Sequence, residues 1–156
     1  MDEIIVANKY RVPTDRYYTK EHEWLLIEGE NRAKVGITDY AQSELGDIVY
    51  VELPELNTEV DSGDVLANIE SVKSVAAVYA PVGGKVIDIN SELENSPELI
   101  NEYPYEDGWI CAIEMRDPSE VEDLLTAEEY AEYIQELVEE EEEGEPPEDI
   151  VNIEEE

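Results

Sequence analysis

The sequence predicts a mainly β fold in which two small sheets pack face to face, with short flanking helices and one helix near the C-terminus. Three observations predict it. Ala33, Val35 and Ile37 alternate with Arg32, Lys34 and Gly36, the period-two pattern of a half-buried strand. A strand–connection–strand unit occurs twice: the run from Gly46 to Val51 is echoed from Gly84 to Ile89, and the run from Gly63 to Glu70 is echoed from Gly108 to Glu114 with a one-residue slip. Two helix-start signals follow in succession, Asp117-Pro118-Ser119-Glu120 and Thr126-Ala127-Glu128-Glu129. Each sets a capping side chain before a glutamate three residues on.

The elements follow in order. Residues 1–16 read as a polar lead-in. His22-Glu23-Trp24-Leu25-Leu26-Ile27 reads as a strand with Gly29 in the turn after it. Asp39 with Gln42 is placed to cap a short helix that Gly46 ends. Asp47 to Leu53 is the next strand, stopped by Pro54. The apolar runs Val65–Ile69 and Val75–Tyr79 are two more strands. Val121, Leu124 and Leu125 form the apolar face of a first terminal helix. Tyr130, Tyr133, Ile134, Leu137 and Val138 keep helical spacing in a second, expected to lie across the sandwich. The segment 138–156 holds eleven acidic residues and no basic one, with Gly144 and Pro146-Pro147 inside it, and reads as a mobile tail.

Composition narrows the function. Forty-three acidic residues against nine basic ones leave a formal net charge of −34 on 156 residues. Such a chain is repelled by nucleic acids and anionic membrane surfaces. No segment has the length and apolarity of a membrane span, and the acidic start resembles neither a secretory signal nor a transit peptide. Cys111 is the single cysteine, so no internal disulfide forms. These features suggest a cytoplasmic, prokaryotic, monomeric protein.

One lysine stands out. Lys73, one of five lysines, interrupts two apolar strands in the run Glu70-Ser71-Val72-Lys73-Ser74-Val75. A buried lysine would need a partner or would lose its charge; at a hairpin tip it projects into water. That geometry suits a solubilising turn residue, and equally a lysine that an enzyme acylates to attach a cofactor. Catalytic constellations are poorly supported. His22 is the only histidine, so no histidine cluster exists to hold a metal. Cys111 alternates with Trp109, Ile113 and Met115 and is expected to face the core. A nucleophilic Cys111–His22 pair would need one shared electropositive cleft. Gly83-Gly84 lacks phosphate-loop spacing. The chain reads as a carrier or binding module before it reads as an enzyme.

Six stretches then carry a resemblance: Tyr18-Thr19-Lys20-Glu21-His22-Glu23-Trp24; Val35 to Gln42; Leu45 to Pro54; Glu70-Ser71-Val72-Lys73-Ser74; Ala80 to Val86; and Pro104-Tyr105-Glu106-Asp107-Gly108-Trp109. Over residues 17–137 the chain resembles the glycine cleavage system H protein family. The resemblance implies a lipoyl/biotinyl-carrier-like β-sandwich hybrid, or barrel-sandwich, over 17–137. It implies lipoate in amide linkage on Lys73, with Glu70, Ser71, Val72 and Ser74 as the recognition residues for lipoylation. Biotin carriers place methionine beside their lysine, whereas Val72 and Ser74 flank this one. The implied partners are the glycine decarboxylase, the aminomethyltransferase, the dihydrolipoyl dehydrogenase and a lipoate ligase or lipoyl transferase. The implied role is a non-catalytic shuttle for the aminomethyl group of glycine. His22 and Glu23 match the motif beside which the loaded arm rests; the plainer reading makes Glu23 a solvated strand-edge residue and His22 a structural hydrogen-bond partner. Family members often carry an acidic residue four positions after the lysine, where this chain has Ala77. That departure leaves open an H-like carrier for lipoate relay or cytoplasmic sulfur oxidation.

Overall fold

The computed structural model describes residues 2–144. Eleven strands are present among them: β1 (Glu3–Val6), β2 (Tyr10–Pro13), β3 (Tyr17–Tyr18), β4 (Glu23–Ile27), β5 (Arg32–Ile37), β6 (Ile48–Glu52), β7 (Glu59–Val60), β8 (Val65–Ser71), β9 (Val75–Tyr79), β10 (Gly84–Ile89) and β11 (Cys111–Met115). The helices are α1 (Asp39–Leu45), α2 (Glu92–Asn95), α3 (Leu99–Glu102) and α4 (Ala127–Gly144), with a 3₁₀ turn at Pro118–Asp123. The strands form a six-stranded sheet, β3-β4-β5-β11-β10-β7, a three-stranded sheet, β6-β8-β9, and the hairpin β1-β2. The sandwich is as expected. The sheets do not close into a barrel, because both principal sheets keep free edge strands.

The repeated unit accounts for the two sheets. Its first copy is the antiparallel pair β6–β8 and its second is β10–β11. Each belongs to a different sheet. Inward residues of both sheets meet in one core: Leu25, Val35 and Ile113 from the larger, Val51, Ile69 and Val78 from the smaller. Burying each such side chain contributes about 1.5–3 kcal/mol. Cys111 is fully buried in this core, as its alternation predicts.

A second core lies against α4. It unites Val6, Tyr10 and Val12 of the hairpin with Tyr18, Trp24, Tyr40, Tyr105, Tyr130 and Ile134. Residues 1–16 are therefore not merely a polar lead-in. Ala7 and Asn8 turn the chain with φ of 55° and 58°, and a three-residue loop brings Val6 opposite Tyr10. Two four-residue strands are too short for their alternation to stand out from a polar background. The same hairpin explains the position of α4, which packs on β1, β2 and β3 rather than across the sandwich. Tyr18 and Tyr130 stack at 4.7 Å. The Arg16 guanidinium lies 4.7 Å from the Trp24 ring and 5.2 Å from the Tyr105 ring, and donates to the Tyr105 carbonyl at 3.0 Å.

The caps differ in detail. Thr38, not Asp39, is the N-cap of α1; its hydroxyl accepts from the Ala41 amide at 3.2 Å. Gln42 instead donates to Asp39 at 2.8 Å. Asp117 caps the segment that begins at Pro118, which winds as a 3₁₀ turn. The capping box of α4 forms in both directions: the Thr126 amide donates to Glu129 Oε1 at 3.0 Å and the Glu129 amide to Thr126 Oγ1 at 3.2 Å. The helix then continues past Val138 to Gly144, and Tyr40 donates to Glu141 at 3.1 Å. The remainder of the acidic segment, 145–156, lies outside the described residues. No helix among those described is long and apolar enough to cross a membrane.

Close approach fixes some glycines. A Cβ on Gly36 would lie 2.5 Å from the Trp24 ring, which is held by its indole bond to the Pro104 carbonyl. Gly36→Ala should therefore cost about 1–3 kcal/mol. Chemical denaturation of the two proteins checks this; unchanged stability would show that Trp24 can shift freely.

Candidate functional site

The turn between β8 and β9 is built from short-range bonds. The Ser71 amide donates to the Ser74 carbonyl at 2.8 Å. The Ser71 hydroxyl accepts from the amides of Lys73 and Ser74, each at 3.1 Å. The Val72 amide donates to the Asp47 carbonyl at 2.9 Å, tying the tip to the start of β6. No residue from 71 to 74 has a positive φ, so the turn closes without glycine. Lys73 is exposed on it. Its stem lies over Gly46, where an added Cβ would meet Lys73 Cε at 3.2 Å.

The ammonium of Lys73 enters no salt bridge among the described residues. Other lysines are more engaged. Lys34 pairs with Glu28 at 3.4 Å and lies over Trp109. Lys9 and Lys20 lie over Tyr10 and Tyr133. Around Lys73 the surface is unusually apolar. Val72 and Val75 are 67% and 69% exposed. Tyr50, Glu70 and Val75 form one cross-strand row behind the tip.

Glu23 is the other notable group. It is 2% exposed, on β4, and not a solvated edge residue. Its Oε1 accepts from the Thr19 hydroxyl at 2.6 Å and its Oε2 from the Tyr79 amide at 2.9 Å. Burial pushes its pKa up to about 7, against the opposing pull of those two bonds. It lines a cleft of about 230 Å³ together with Thr19, Glu21, Tyr79, Glu120 and Asp123. Ala77 precedes Tyr79 by two residues on β9, so both share one face of the strand.

His22 turns the other way. Its backbone is left-handed, with φ of 75°. Its Nδ1 lies 2.9 Å from the Tyr130 hydroxyl, which lies 2.7 Å from the Thr38 hydroxyl. Tyr40 and Tyr133 flank the ring at 4.9 and 5.9 Å. Burial lowers its pKa to about 4. The structure does not bring His22 and Glu23 into one cleft: His22 belongs to the α4 side, and Glu23 faces β9. Cys111 lies in the sandwich core, where burial raises its pKa to about 12, so it shares no cleft with His22.

Sequence reasoning missed Thr19, Tyr79 and Gly46. Thr19 stands four residues before Glu23, within the quoted motif. Tyr79 contributes only its backbone amide, which leaves no trace in residue type.

The two shifted groups have opposite linkage. Folded Glu23 keeps its proton up to about pH 7, against 4.5 unfolded, so stability falls as pH rises between those values. Folded His22 takes its proton only near pH 4, against 6.5 unfolded, so stability falls as pH drops through that range. Glu23→Gln should remove the first effect and keep the second. Its melting temperature relative to the parent should then climb as pH rises from 4.5 to 7; a constant difference would show that Glu23 is ionised in the fold.

Comparison with known proteins places this arrangement. Residues 16–137 match the family described as Glycine cleavage H-protein. The chain is 64% identical over 136 residues to Glycine cleavage system H protein 4 of Aquifex aeolicus, covering 87% of this chain and 79% of that protein. It is 54% identical over 123 residues to the Glycine cleavage system H protein of Staphylococcus saprophyticus, covering 79% of this chain and 97% of that one. The crystal structure of a glycine cleavage system H protein from Mycobacterium marinum superposes with a TM-score of 0.73 at 36% identity, covering 79% of this chain and 98% of the other. With the match spanning both sheets, the Lys73 tip and most of α4, the chain belongs to the glycine cleavage H-protein family.

Proposed function

We propose that this chain carries lipoate in amide linkage on Lys73 and shuttles the aminomethyl group of glycine between the enzymes of the glycine cleavage system. One observation carries the reading: in a member of this family, Lys73 stands exposed on a bonded turn and, among the described residues, without an ion pair. Lipoylation needs a primary amine that an enzyme can reach, and this one fits. Lipoate would supply a dithiolane able to take up the aminomethyl group. The implied partners are the glycine decarboxylase, the aminomethyltransferase and the dihydrolipoyl dehydrogenase, with a lipoate ligase or lipoyl transferase for the attachment. The domain responsible is 17–137.

The rest of the chain positions and protects. Keeping the group tethered raises its concentration at successive active sites. Glu23 supplies a buried carboxylate, the only one among the described residues, beside a cleft lined also by Glu21, Glu120 and Asp123. It is suited to hold an ammonium group, which would draw its carboxylate toward the ionised form. His22 packs among Tyr40, Tyr130 and Tyr133 on the α4 side rather than contacting the same group. A carrier role in lipoate relay or sulfur oxidation is the second reading, for which Ala77, where an acidic residue is usual, leaves room.

Incubation with a lipoate ligase, lipoate and ATP should raise the intact mass by one lipoyl group. Lys73→Ala should stay unmodified at an unchanged melting temperature, because the side chain is exposed. Lipoate found on Lys34 or Lys85 instead would refute the assignment. The lipoylated protein should support glycine–bicarbonate exchange only when glycine decarboxylase is added; exchange without it would mean that the chain is itself an enzyme, and no exchange with it would favour the second reading.

Glu23 should slow loss of the carried group as formaldehyde and ammonia. Removing one charged hydrogen-bond partner costs about 1.5–3 kcal/mol, so Glu23→Gln should release faster than the parent and Ala77→Asp more slowly. Equal rates in all three proteins would place the loaded arm elsewhere.

A further inference from the structure

We propose that Ser71 is a positioning residue that selects Lys73 for acylation by fixing the backbone beneath it, rather than a side chain that the modifying enzyme reads. The proposal rests on the reading of Lys73 as the attachment site. The Ser71 hydroxyl oxygen is already occupied within the hairpin by the amides of Lys73 and Ser74, both at 3.1 Å. It lies 3.3 Å from the Ser74 carbonyl, to which it can give its own proton. Ser71 is half-buried, whereas Val72, Lys73, Ser74 and Val75 are exposed. Those four side chains present more surface to an approaching enzyme than Ser71 does.

The turn needs this hydroxyl. It contains no glycine and no left-handed residue, so a side-chain acceptor satisfies amides that the turn would otherwise leave to water. The Asp47 carbonyl holds the preceding amide, and Gly46 leaves room for the stem. The Cα of Lys73 is thereby fixed while its terminal amine stays free. The molecule holds a natural contrast in Lys9, in the β1–β2 connection. That connection closes through positive φ at Ala7 and Asn8, and its ammonium lies 5.0 Å from the Tyr10 ring centroid. Two hairpin connections among the described residues thus carry a lysine, and Lys73 alone of the two has no ion pair or ring contact among them.

In the reaction the ammonium of Lys73 first loses a proton. Nζ then attacks the carbonyl carbon of a lipoyl group activated as its acyl adenylate. The amide C–N bond forms as the acyl C–O bond breaks, adenylate leaves with the bonding pair, and the nitrogen gives up a second proton. A backbone held in place lowers the ordering required to reach that geometry.

The test compares parent, Ser71→Ala and Ser71→Thr with a lipoate ligase, lipoate and ATP. Intact mass gives kcat/KM for incorporation, and amide hydrogen exchange is followed at Lys73 and Ser74. Ser71→Ala should exchange faster at those two amides and lose about tenfold in kcat/KM, as expected from two exposed hydrogen bonds. Ser71→Thr keeps the hydroxyl and should restore both, and Lys9 should stay unmodified throughout. Parental kcat/KM in Ser71→Ala, or a Ser71→Thr protein as slow as Ser71→Ala but with parental exchange, overturns the proposal while leaving Lys73 as the attachment site. A parent that takes up no lipoyl group overturns the carrier reading and this inference with it.

Discussion

A buried carboxylate joins the two principal sheets. Glu23 belongs to β4 of the larger sheet and accepts the amide of Tyr79, at the end of β9 in the smaller one. Hydrophobic contact between the sheets supplies most of the stabilising energy, but it is non-directional. The Glu23–Tyr79 bond has direction, and it sets where the end of β9 lies relative to β4. The other end of β9 leads back to the Lys73 turn. One strand therefore runs from the exposed Lys73 turn to the buried carboxylate, and the surface between them is fixed by β8–β9 pairing rather than by a loop.

The sandwich was legible because its residues report their surroundings directly. Strand alternation marked β5, apolar runs marked β8 and β9, and the internal echo anticipated that β6–β8 and β10–β11 would fall in separate sheets. The α4 capping box and the burial of Cys111 followed from residue type and spacing. Other features have causes that spacing does not carry. The β1–β2 hairpin depends on positive φ at Ala7 and Asn8, and Ala7 gives no hint of it. The seat of α4 depends on that hairpin, so one error led to the other. Thr38 displaced Asp39 as the α1 cap because its β-region backbone lets its oxygen face the Ala41 amide.

The candidate site residues divide the same way. Lys73 could be singled out from one sequence because a lone cation between apolar runs is conspicuous, and the family motif adds the reading as an attachment site. Glu23 was found only through the family motif, and its burial was not foreseen, since glutamate in a sequence this acidic reads as surface. That Glu23 and His22 face different sides follows from strand geometry and from the left-handed turn at His22. The two residues sit together in the motif yet serve different walls.

Their opposite pKa shifts share one cause. Desolvation penalises whichever form is charged, so it raises an acid and lowers a base. Near neutrality His22 is uncharged and Glu23 is only partly ionised, although the chain as a whole carries −34. The chain is thus strongly acidic while its buried groups at Glu23, between the sheets, and His22, on the α4 side, hold little charge. Burial disfavours the ionised form of Glu23, and the Thr19 hydroxyl and the Tyr79 amide satisfy its oxygens. In the proposed carrier role, a cation passing Glu21, Glu120 and Asp123 would reach a carboxylate able to ionise on its arrival and to revert when it leaves. A carboxylate ionised throughout would need a permanent counter-charge at that depth, and a permanent partner would occupy the place where a carried ammonium group could rest.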